Sequence, residues 1–282
     1  LMQAQAGIVE PIYKQLKDPT TGGQPSTVSM SITPDGKKMF VLSHTRNKYY
    51  IYDLTTPFDL STMDVSNRSE VDFVGDDPPS ASQIKDIEFN NDGTKVFVFG
   101  RAGTLHIHNL TTPYDVASIS SSTAVPDDGL DYNTAYGTVS RIHGVTFNND
   151  GTKMYLSDGT ITSTDITQVN LSTPFDPSSG TSTYNLDTES ITARYTMDLA
   201  FDDDGTRLYL SESNTSVAIN YMYVWKLSNP FELSSATYVD KWQILGNGNN
   251  LSPYAWTFGN NGMKLYIGTE DASTDGDNII YE

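Results

Sequence analysis

The chain has 282 residues, with 17 basic and 35 acidic side chains and a formal net charge of −18 at pH 7. A strongly acidic surface disfavours nucleic acids and anionic lipid head groups as partners, although it also serves simple solubility. The absence of cysteine excludes disulfides, thiolate catalysis and cysteine metal sites. No run approaches the roughly 18 apolar residues of a membrane span. We therefore expect no nucleic-acid partner and no membrane insertion.

One short pattern recurs five times along the chain. The copies are SITPDGKKMFVL, EFNNDGTKVFVF, TFNNDGTKMYLS, AFDDDGTRLYLS and TFGNNGMKLYIG. Their central glycines, spaced by 54 to 58 residues, are Gly36, Gly93, Gly151, Gly205 and Gly262. A period of this size predicts a solenoid, a propeller or another repeat array.

Each copy predicts two adjacent strands joined by a tight turn. In the second copy, Ile87 and Phe89 alternate with acidic residues, and the β-branched and aromatic run Val96–Phe99 follows the turn. The Asp-Gly pair between the strands (Asn-Gly in the fifth copy) supplies a glycine for the positive φ angle of a tight hairpin. Asp or Asn is expected to tolerate such an angle at the neighbouring position.

Two further strands follow in each period. The third is seen at Tyr49–Leu54 and leads into a segment of the type Thr-Pro-Phe-Asp, where proline ends the strand. The aromatic residues of these segments, expected to tuck under the sheet, are Phe58, Tyr114, Phe175 and Phe231. The fourth strand is clearest at Val71–Gly75 and Val239–Leu245. Four antiparallel strands per unit, repeated radially, predict an all-β fold and a β-propeller.

The whole chain, 1–282, is predicted to be one propeller domain. Blades are placed around 28–84, 85–141, 142–195, 196–252 and 253–282, with 1–27 as a lead-in. The segment Pro11–Leu16 has the spacing of a fourth strand, so it is expected to complete the last blade and close a ring of five four-stranded blades. The alternative is part of a six- or seven-bladed propeller, because the last repeat stops partway into its third strand.

The combined pattern F-x-x-D-G-T-K-M-Y/F-V, followed by Y-x-L-T/S-T-P-F-D, resembles the YVTN-like, surface-layer type of β-propeller repeat found in archaea, bacteria and their viruses. The resemblance covers nearly the whole chain, although the repeats here are longer than the usual YVTN unit. It implies a propeller and an exported surface or adhesion module. It carries over no catalytic residues, because the shared pattern is structural.

Propeller geometry sorts the loops onto two faces. One face carries the recurring Asp-Gly turns, hereafter the D-G turns, together with the Thr-Pro-Phe-Asp segments. The loops of the opposite face, hereafter the variable rim, differ in every blade, as in Ser43–Lys48, Glu212–Asn220 and Thr269–Asn278. A repeated scaffold with divergent loops is typical of a binding face. Drift in unconstrained loops predicts the same divergence.

The first strand of each blade is expected to line the central channel near the variable rim. Counting back seven or eight residues from the glycines gives a predicted ligand-binding cluster at the channel mouth. Its members are Lys85, Asp86, His143 and Asp198, with Arg141 nearby. Channel polarity satisfied by water is the alternative. Tyr254, in or beside the variable loops, is expected to be able to stack on a sugar ring.

Two metal sites can be considered from the residue types. Asp271, Asp275 and Asp277 alternate as oxygen ligands and predict a calcium site, with an ordinary acidic loop as the alternative. His106 and His108 lie on the same side of a strand. Without a third ligand they favour a packed strand face over a zinc site.

These observations favour a non-catalytic binding module, exported or displayed on a virion, that contacts other surface proteins. A lectin-like module that binds cell-surface glycans is the alternative. A glycoside hydrolase is the less favoured third reading, because a propeller funnel with Asp86, Glu88 and Asp198 supplies the paired carboxylates of that chemistry without any other hydrolase pattern. The expected location is extracellular, on a cell surface or on a virion.

Overall fold

The structure is a computed structural model that describes residues 15–17, 27–43, 48–65, 67–72, 84–100, 105–124, 142–158, 165–192, 195–213, 220–244, 251–271 and 279–282. These residues form β-strands and short 3-10 helices, and the strands build four-stranded antiparallel sheets arranged in a ring. The predicted all-β class and β-propeller are confirmed. Within the described ranges, no helix has the length and apolar character needed to cross a membrane.

Four sheets each consist of consecutive strands. The first contains β2 (Thr27–Ile32), β3 (Lys38–Ser43), β4 (Lys48–Asp53) and β5 (Ser69–Asp72). The second contains β6 (Ile84–Phe89), β7 (Lys95–Gly100), β8 (Leu105–Leu110) and β9 (Ile119–Ala124). The third contains β10 (Ile142–Phe147), β11 (Lys153–Asp158), β12 (Asp165–Leu171) and β13 (Gly180–Asp187). The fourth contains β14 (Tyr195–Phe201), β15 (Arg207–Ser213), β16 (Asn220–Leu227) and β17 (Ala236–Ile244).

A further four-stranded sheet combines distant parts of the chain. It contains β18 (Leu251–Gly259), β19 (Lys264–Asp271), β20 (Ile279–Tyr281) and, paired with β20, the strand β1 (Gln15–Lys17). The pairing is antiparallel, with Leu16 opposite Ile280.

Apolar side chains between the sheets form the core. Each of the hydrophobic clusters joins two neighbouring sheets, because successive side chains of a strand point to opposite faces. Between the first sheet and the sheet of β18–β20, for example, Met30 and Met39 pack with Tyr266 and Ile280. The aromatic residues at alternate positions of β16, Tyr223 and Trp225, lie in the cluster between the third and fourth sheets.

The D-G turns show why their residues recur. In the second sheet the Asn90 side chain accepts the backbone N–H of Lys95 at 2.8 Å, and Asp92 accepts that of Thr94 at 2.9 Å. Gly93 has a φ of 68°, whereas Asp92 is not among the residues with positive φ. The expected positive φ at the residue before the glycine is therefore wrong for this turn, but it is confirmed in the fifth copy, where Asn261 has a φ of 54°. The carboxylate of Asp92 instead accepts a hydrogen bond from a backbone N–H group of the turn.

The aromatic residue of each Thr-Pro-Phe-Asp segment packs against the turn glycine of its own sheet. Phe175 has a φ of 53°, its N–H donates to the carbonyl of Gly151 at 2.9 Å, and its ring covers that glycine. The following Asp176 caps a short 3-10 helix, Pro177–Ser179, by accepting the N–H of Ser178 at 3.0 Å. These one-turn helices were not predicted, because they are too short to show a helical period in the sequence.

Candidate binding cavity in the central channel

The innermost strand of each sheet carries a β-bulge that sets which side chains face the channel. In β6 the register passes from Ile84, opposite Gly100, to Asp86, opposite Phe99, so Lys85 is the extra residue. A bulge changes the direction in which the neighbouring side chains point. Beyond the bulge Asp86 and Glu88 lie on the same side of the strand, since side chains alternate. Both line the central cavity.

The channel contains a cavity of about 230 Å³. Asp86, Glu88, Asp198 and several aromatic residues are among the residues that line it. The lining continues to the D-G turn residues Asn149 and Asp203, both of which are exposed. The cavity therefore lies in the half of the channel toward the D-G turns. The sequence placed the binding cluster near the other end, at the variable rim.

Asp86 is a hydrogen-bonded link between neighbouring sheets. Its Oδ1 accepts from Ser29 Oγ of the first sheet at 2.5 Å, and its Oδ2 accepts from the N–H of Val145 in the third sheet at 2.7 Å. The N–H of Ile87 donates to Oδ1 at 2.8 Å. The side chain is 4% exposed, and burial raises its pKa despite these donors.

Asp198 occupies the equivalent position in the fourth sheet but lacks the hydroxyl partner. The residue of the third sheet that corresponds to Ser29 is Gly144, which has no side chain and lies against the backbone of Asp198. The Asp198 carboxylate accepts the backbone N–H of Leu199 at 2.8 Å, and a hydrogen bond from the backbone N–H of Trp256 also favours its ionised form. Among the described residues no side chain donates to this carboxylate, whereas Ser211 Oγ donates to the backbone carbonyl of Asp198 at 3.3 Å. Burial raises its pKa, and the negative charge of Asp86 raises it further.

The carboxyl group of Glu88 accepts a single hydrogen bond among the described residues, from Thr146 Oγ1 at 3.3 Å. Burial, followed by the charge of Asp86, raises the pKa of Glu88 to about 8. The carboxyl groups of Asp86, Glu88 and Asp198 therefore share one cavity, which Asp202 and Asp203 also line. Because their negative charges repel one another, protonation or a cationic ligand is more favourable than full ionisation of all of them.

Two of the other predicted site residues lie apart from this cavity. Lys85 and His143, the bulge residues of their strands, are partly buried and do not line it. Tyr254 belongs to β18, but its side chain is outside the described part of the structure. Arg141 and most of the variable rim lie outside the described residues. A ligand site at that rim therefore stays a prediction.

The proposed calcium ligands are described only in part. Asp271 ends β19, whereas Asp275 and Asp277 lie outside the described residues. Within the described ranges, no three His, Cys, Asp or Glu side chains are close enough to hold one metal ion. Calcium binding at this loop stays a prediction.

The two histidines of β8 are packed between sheets. His106 and His108 are 8% and 1% exposed, and their rings are nearly parallel, with centroids 6.3 Å apart. The buried Nδ1 of His108 has no hydrogen-bond partner in the described part of the chain. Burial, followed by the charge of His106, lowers the pKa of His108 to about 4.

This lowered pKa predicts an acid-dependent loss of stability. The fold favours neutral His108, so its stabilising contribution is complete above the unfolded pKa of about 6.5 and is lost as pH falls toward 4. We expect His108→Val, which copies Val169 at the equivalent position of the third sheet, to remove this loss. Relative to the unmodified protein, the variant should gain about 2 kcal/mol between pH 7.5 and pH 4.5 in urea unfolding. If the two proteins differ in free energy of unfolding by the same amount at pH 7.5 and at pH 4.5, the prediction is wrong.

Comparison with known proteins shows the fold alone. No family model matches the chain, and no curated protein matches it. A luciferin-regenerating enzyme has a TM-score of 0.52 and 10% identity over 95% of this chain and 94% of its own. The Myceliophteria thermophila Cps50 (Swd1) β-propeller domain has a TM-score of 0.46 and 12% sequence identity over 92% of this chain and 74% of its own. Kuenenia stuttgartiensis hydrazine synthase has a TM-score of 0.47 and 12% sequence identity over 90% of this chain. The matched region spans only 58% of the synthase chain.

Proposed function

We propose that the chain is a non-catalytic β-propeller binding module of the surface-layer type, exported or displayed on a virion, that contacts other surface proteins through its variable rim. The repeated scaffold and the divergent loops support this proposal. The hydrogen bonding of Asp86 favours a non-catalytic role over an enzymatic one. This carboxylate accepts two hydrogen bonds from neighbouring sheets, from Ser29 and Val145, and a third from Ile87 of its own strand, so it serves as a structural link.

Binding to intact cells or isolated surface proteins tests the rim. We expect binding by the purified chain to be lost when loop 159–164 and its neighbour 214–219 are replaced by the shorter 101–104 loop of the same chain. The matched control is Lys95→Ala, on the opposite face. Binding that survives the loop exchange, or that the control abolishes equally, would place the contact elsewhere and overturn the rim assignment.

A lectin is the second candidate, and a glycan array with and without calcium separates it from the first. Glycan binding that requires Tyr254 would favour the lectin, and a calcium requirement lost in Asp271→Asn would favour the proposed ion site. Hydrolysis of a polysaccharide panel, abolished by Asp86→Asn in a folded variant, would instead show an enzyme.

The ring is proposed to comprise five blades, with the sheet of β18–β20 and β1 as the fifth. Support comes from the contacts that join this sheet to the first one. Tyr266 Oη donates to the carbonyl of Phe58 at 2.8 Å, and Glu282 accepts the N–H of Leu60 at 2.9 Å. Glu282 also pairs with Lys264, within its own sheet.

Removal of residues 1–17 tests the role of β1. We expect the amides of β20 to exchange with solvent about tenfold faster, a local loss of roughly 1.4 kcal/mol, because β20 then becomes an unpaired edge. A synthetic peptide covering residues 11–20 should restore the protection, whereas a peptide of scrambled order should not. Unchanged exchange in the shortened chain would show that β1 does not complete the sheet.

A further inference from the structure

The fifth of the recurring turns, at residues 260–262, differs from the four D-G turns in its backbone. Asn260 and Asn261 have φ angles of 52° and 54°, and Gly262 has one of 74°. In the other four copies of the turn only the glycine has a positive φ. The fifth turn therefore has a different set of hydrogen bonds.

The N–H of the turn glycine is bonded in the four D-G turns but not in the fifth. In each D-G turn it donates to the carbonyl three residues earlier, at 2.8–3.0 Å. In the fifth turn the donor is instead the N–H of Met263, which donates to the carbonyl of Asn260 at 3.2 Å. None of the described residues accepts the N–H of Gly262.

The side chain before the glycine is also held in the D-G turns. Asp150 Oδ1 accepts the N–H of Thr152 at 3.0 Å and the hydroxyl of the same residue at 2.5 Å. The hydroxyl lowers the pKa of this carboxyl group, so the group is ionised at neutral pH, and an ionised carboxylate resists attack by a nucleophile. The Asn261 side chain is neutral and exposed, and it makes no hydrogen bond to any described residue.

The packing around the turn glycine leads to the same contrast. A Cβ atom built on Gly151 would lie 2.3 Å from the ring of Phe175, whereas nothing lies within 4 Å of one built on Gly262. Because glycine adopts many backbone angles at little cost, the fifth turn can rearrange without displacing a packed side chain.

An asparagine followed by glycine can react with the backbone when the turn is free to rearrange. The nitrogen of Gly262 attacks Cγ of Asn261. The new N–Cγ bond closes a succinimide ring, the Cγ–Nδ2 bond breaks, and ammonia leaves with the proton of the Gly262 N–H. Water then opens the ring at either carbonyl carbon and gives aspartate or isoaspartate. We propose that Asn261 is a site of spontaneous deamidation, selected among the recurring turns by its unrestrained side chain and by the unbonded N–H of Gly262.

The two products change the turn in different ways. Aspartate gives the fifth turn the Asp-Gly sequence of the other four copies. Isoaspartate adds a methylene group to the backbone between Gly259 and Lys264, the paired residues that flank the turn in β18 and β19. Both products add one negative charge, so anion-exchange chromatography separates modified from unmodified chains.

Incubation of the full chain at pH 8 and 37 °C, followed by peptide mapping with mass spectrometry, tests the proposal. Asp150→Asn is the matched control, because it creates the same Asn-Asn-Gly sequence in a turn whose glycine is bonded and covered. We expect Asn261 to deamidate at least about tenfold faster than the asparagine introduced at position 150, since that turn must first break its hydrogen bonds. Fragment ions distinguish Asn261 from Asn247, whose Asn-Gly pair lies outside the described residues.

The same incubation in urea separates the effect of structure from that of sequence. In the unfolded chain, the two positions should deamidate at similar rates. If Asp150→Asn does not fold, Asp92→Asn gives the same comparison in the second sheet, where the N–H of Gly93 donates at 2.9 Å.

Three results would overturn the proposal: an Asn261 that stays intact while the unfolded chain deamidates, equal rates at the two positions in the folded protein, or a difference between them that persists in urea. None of them bears on the variable rim. Failure of the deamidation site and failure of the proposed surface-binding function are therefore separate outcomes.

Discussion

Gly151→Ala is expected to lower the free energy of unfolding by about 2–5 kcal/mol, from the cost of a left-handed backbone together with that of overpacking. Gly151 has a φ of 70°, and a Cβ atom there would lie 2.3 Å from the ring of Phe175. The ring cannot withdraw easily, because the N–H of Phe175 is held by the carbonyl of Gly151. Urea unfolding at pH 7 measures the loss.

Gly262 offers a matched control for the contribution of the ring. It has nearly the same backbone angle, with a φ of 74°, but nothing lies within 4 Å of a Cβ atom built on it. Gly262→Ala should therefore cost only the backbone term, about 1–2 kcal/mol. If both substitutions cost the same, the contact between ring and glycine does not constrain the turn. If the contact does constrain the turn, Gly151→Ala should cost less in a Phe175→Ala background than in the unmodified protein, which a double-mutant cycle measures.

The second large effect is expected for Asp86→Ala, a loss of about 2–4 kcal/mol, because the buried N–H groups of Val145 and Ile87 lose their acceptor. Asp86→Asn should cost less, since it keeps one carbonyl oxygen and removes a charge from the cavity. Amide exchange should locate the change at Val145, in the neighbouring sheet.

An exposed carboxylate provides the control for Asp86. Asp240→Ala, on β17, should change the free energy of unfolding by no more than about 0.5 kcal/mol. Full protection of the Val145 amide in Asp86→Ala would show that another group accepts this N–H. The role of Asp86 as a link between sheets would then be wrong.

The architecture could be predicted because its determinants are local and repeated. The positive φ of the glycines and the packing of aromatic residues such as Phe58 involve residues of one period, so five copies of the pattern reveal them. The one-turn 3-10 helices escaped prediction because one turn has no period. The capping role of Asp176 became visible only with its hydrogen bond to Ser178.

The site was harder to predict because it depends on contacts between periods. Counting back from the glycines placed Asp86 and Asp198 on the channel strands, and both line the cavity. The same counting also selected Lys85 and His143, since it could not show the bulges. Which half of the channel is open depends on side chains from several strands. The different surroundings of Asp86 and Asp198 depend on Ser29 and Gly144, each contributed by the preceding sheet.

The contacts between the first sheet and the sheet of β18–β20 have a consequence for folding kinetics. The hydrogen bond from Leu60 to Glu282 joins residues 222 apart in sequence, and that from Tyr266 to Phe58 spans 208. The four sheets of consecutive strands can form as they leave the ribosome, but these contacts must wait for the last strand. Such distant contacts are slow to form, and they leave an apolar sheet face uncovered during synthesis. Refolding should therefore show a late phase, reported by burial of Tyr266, during which the chain is most prone to aggregate.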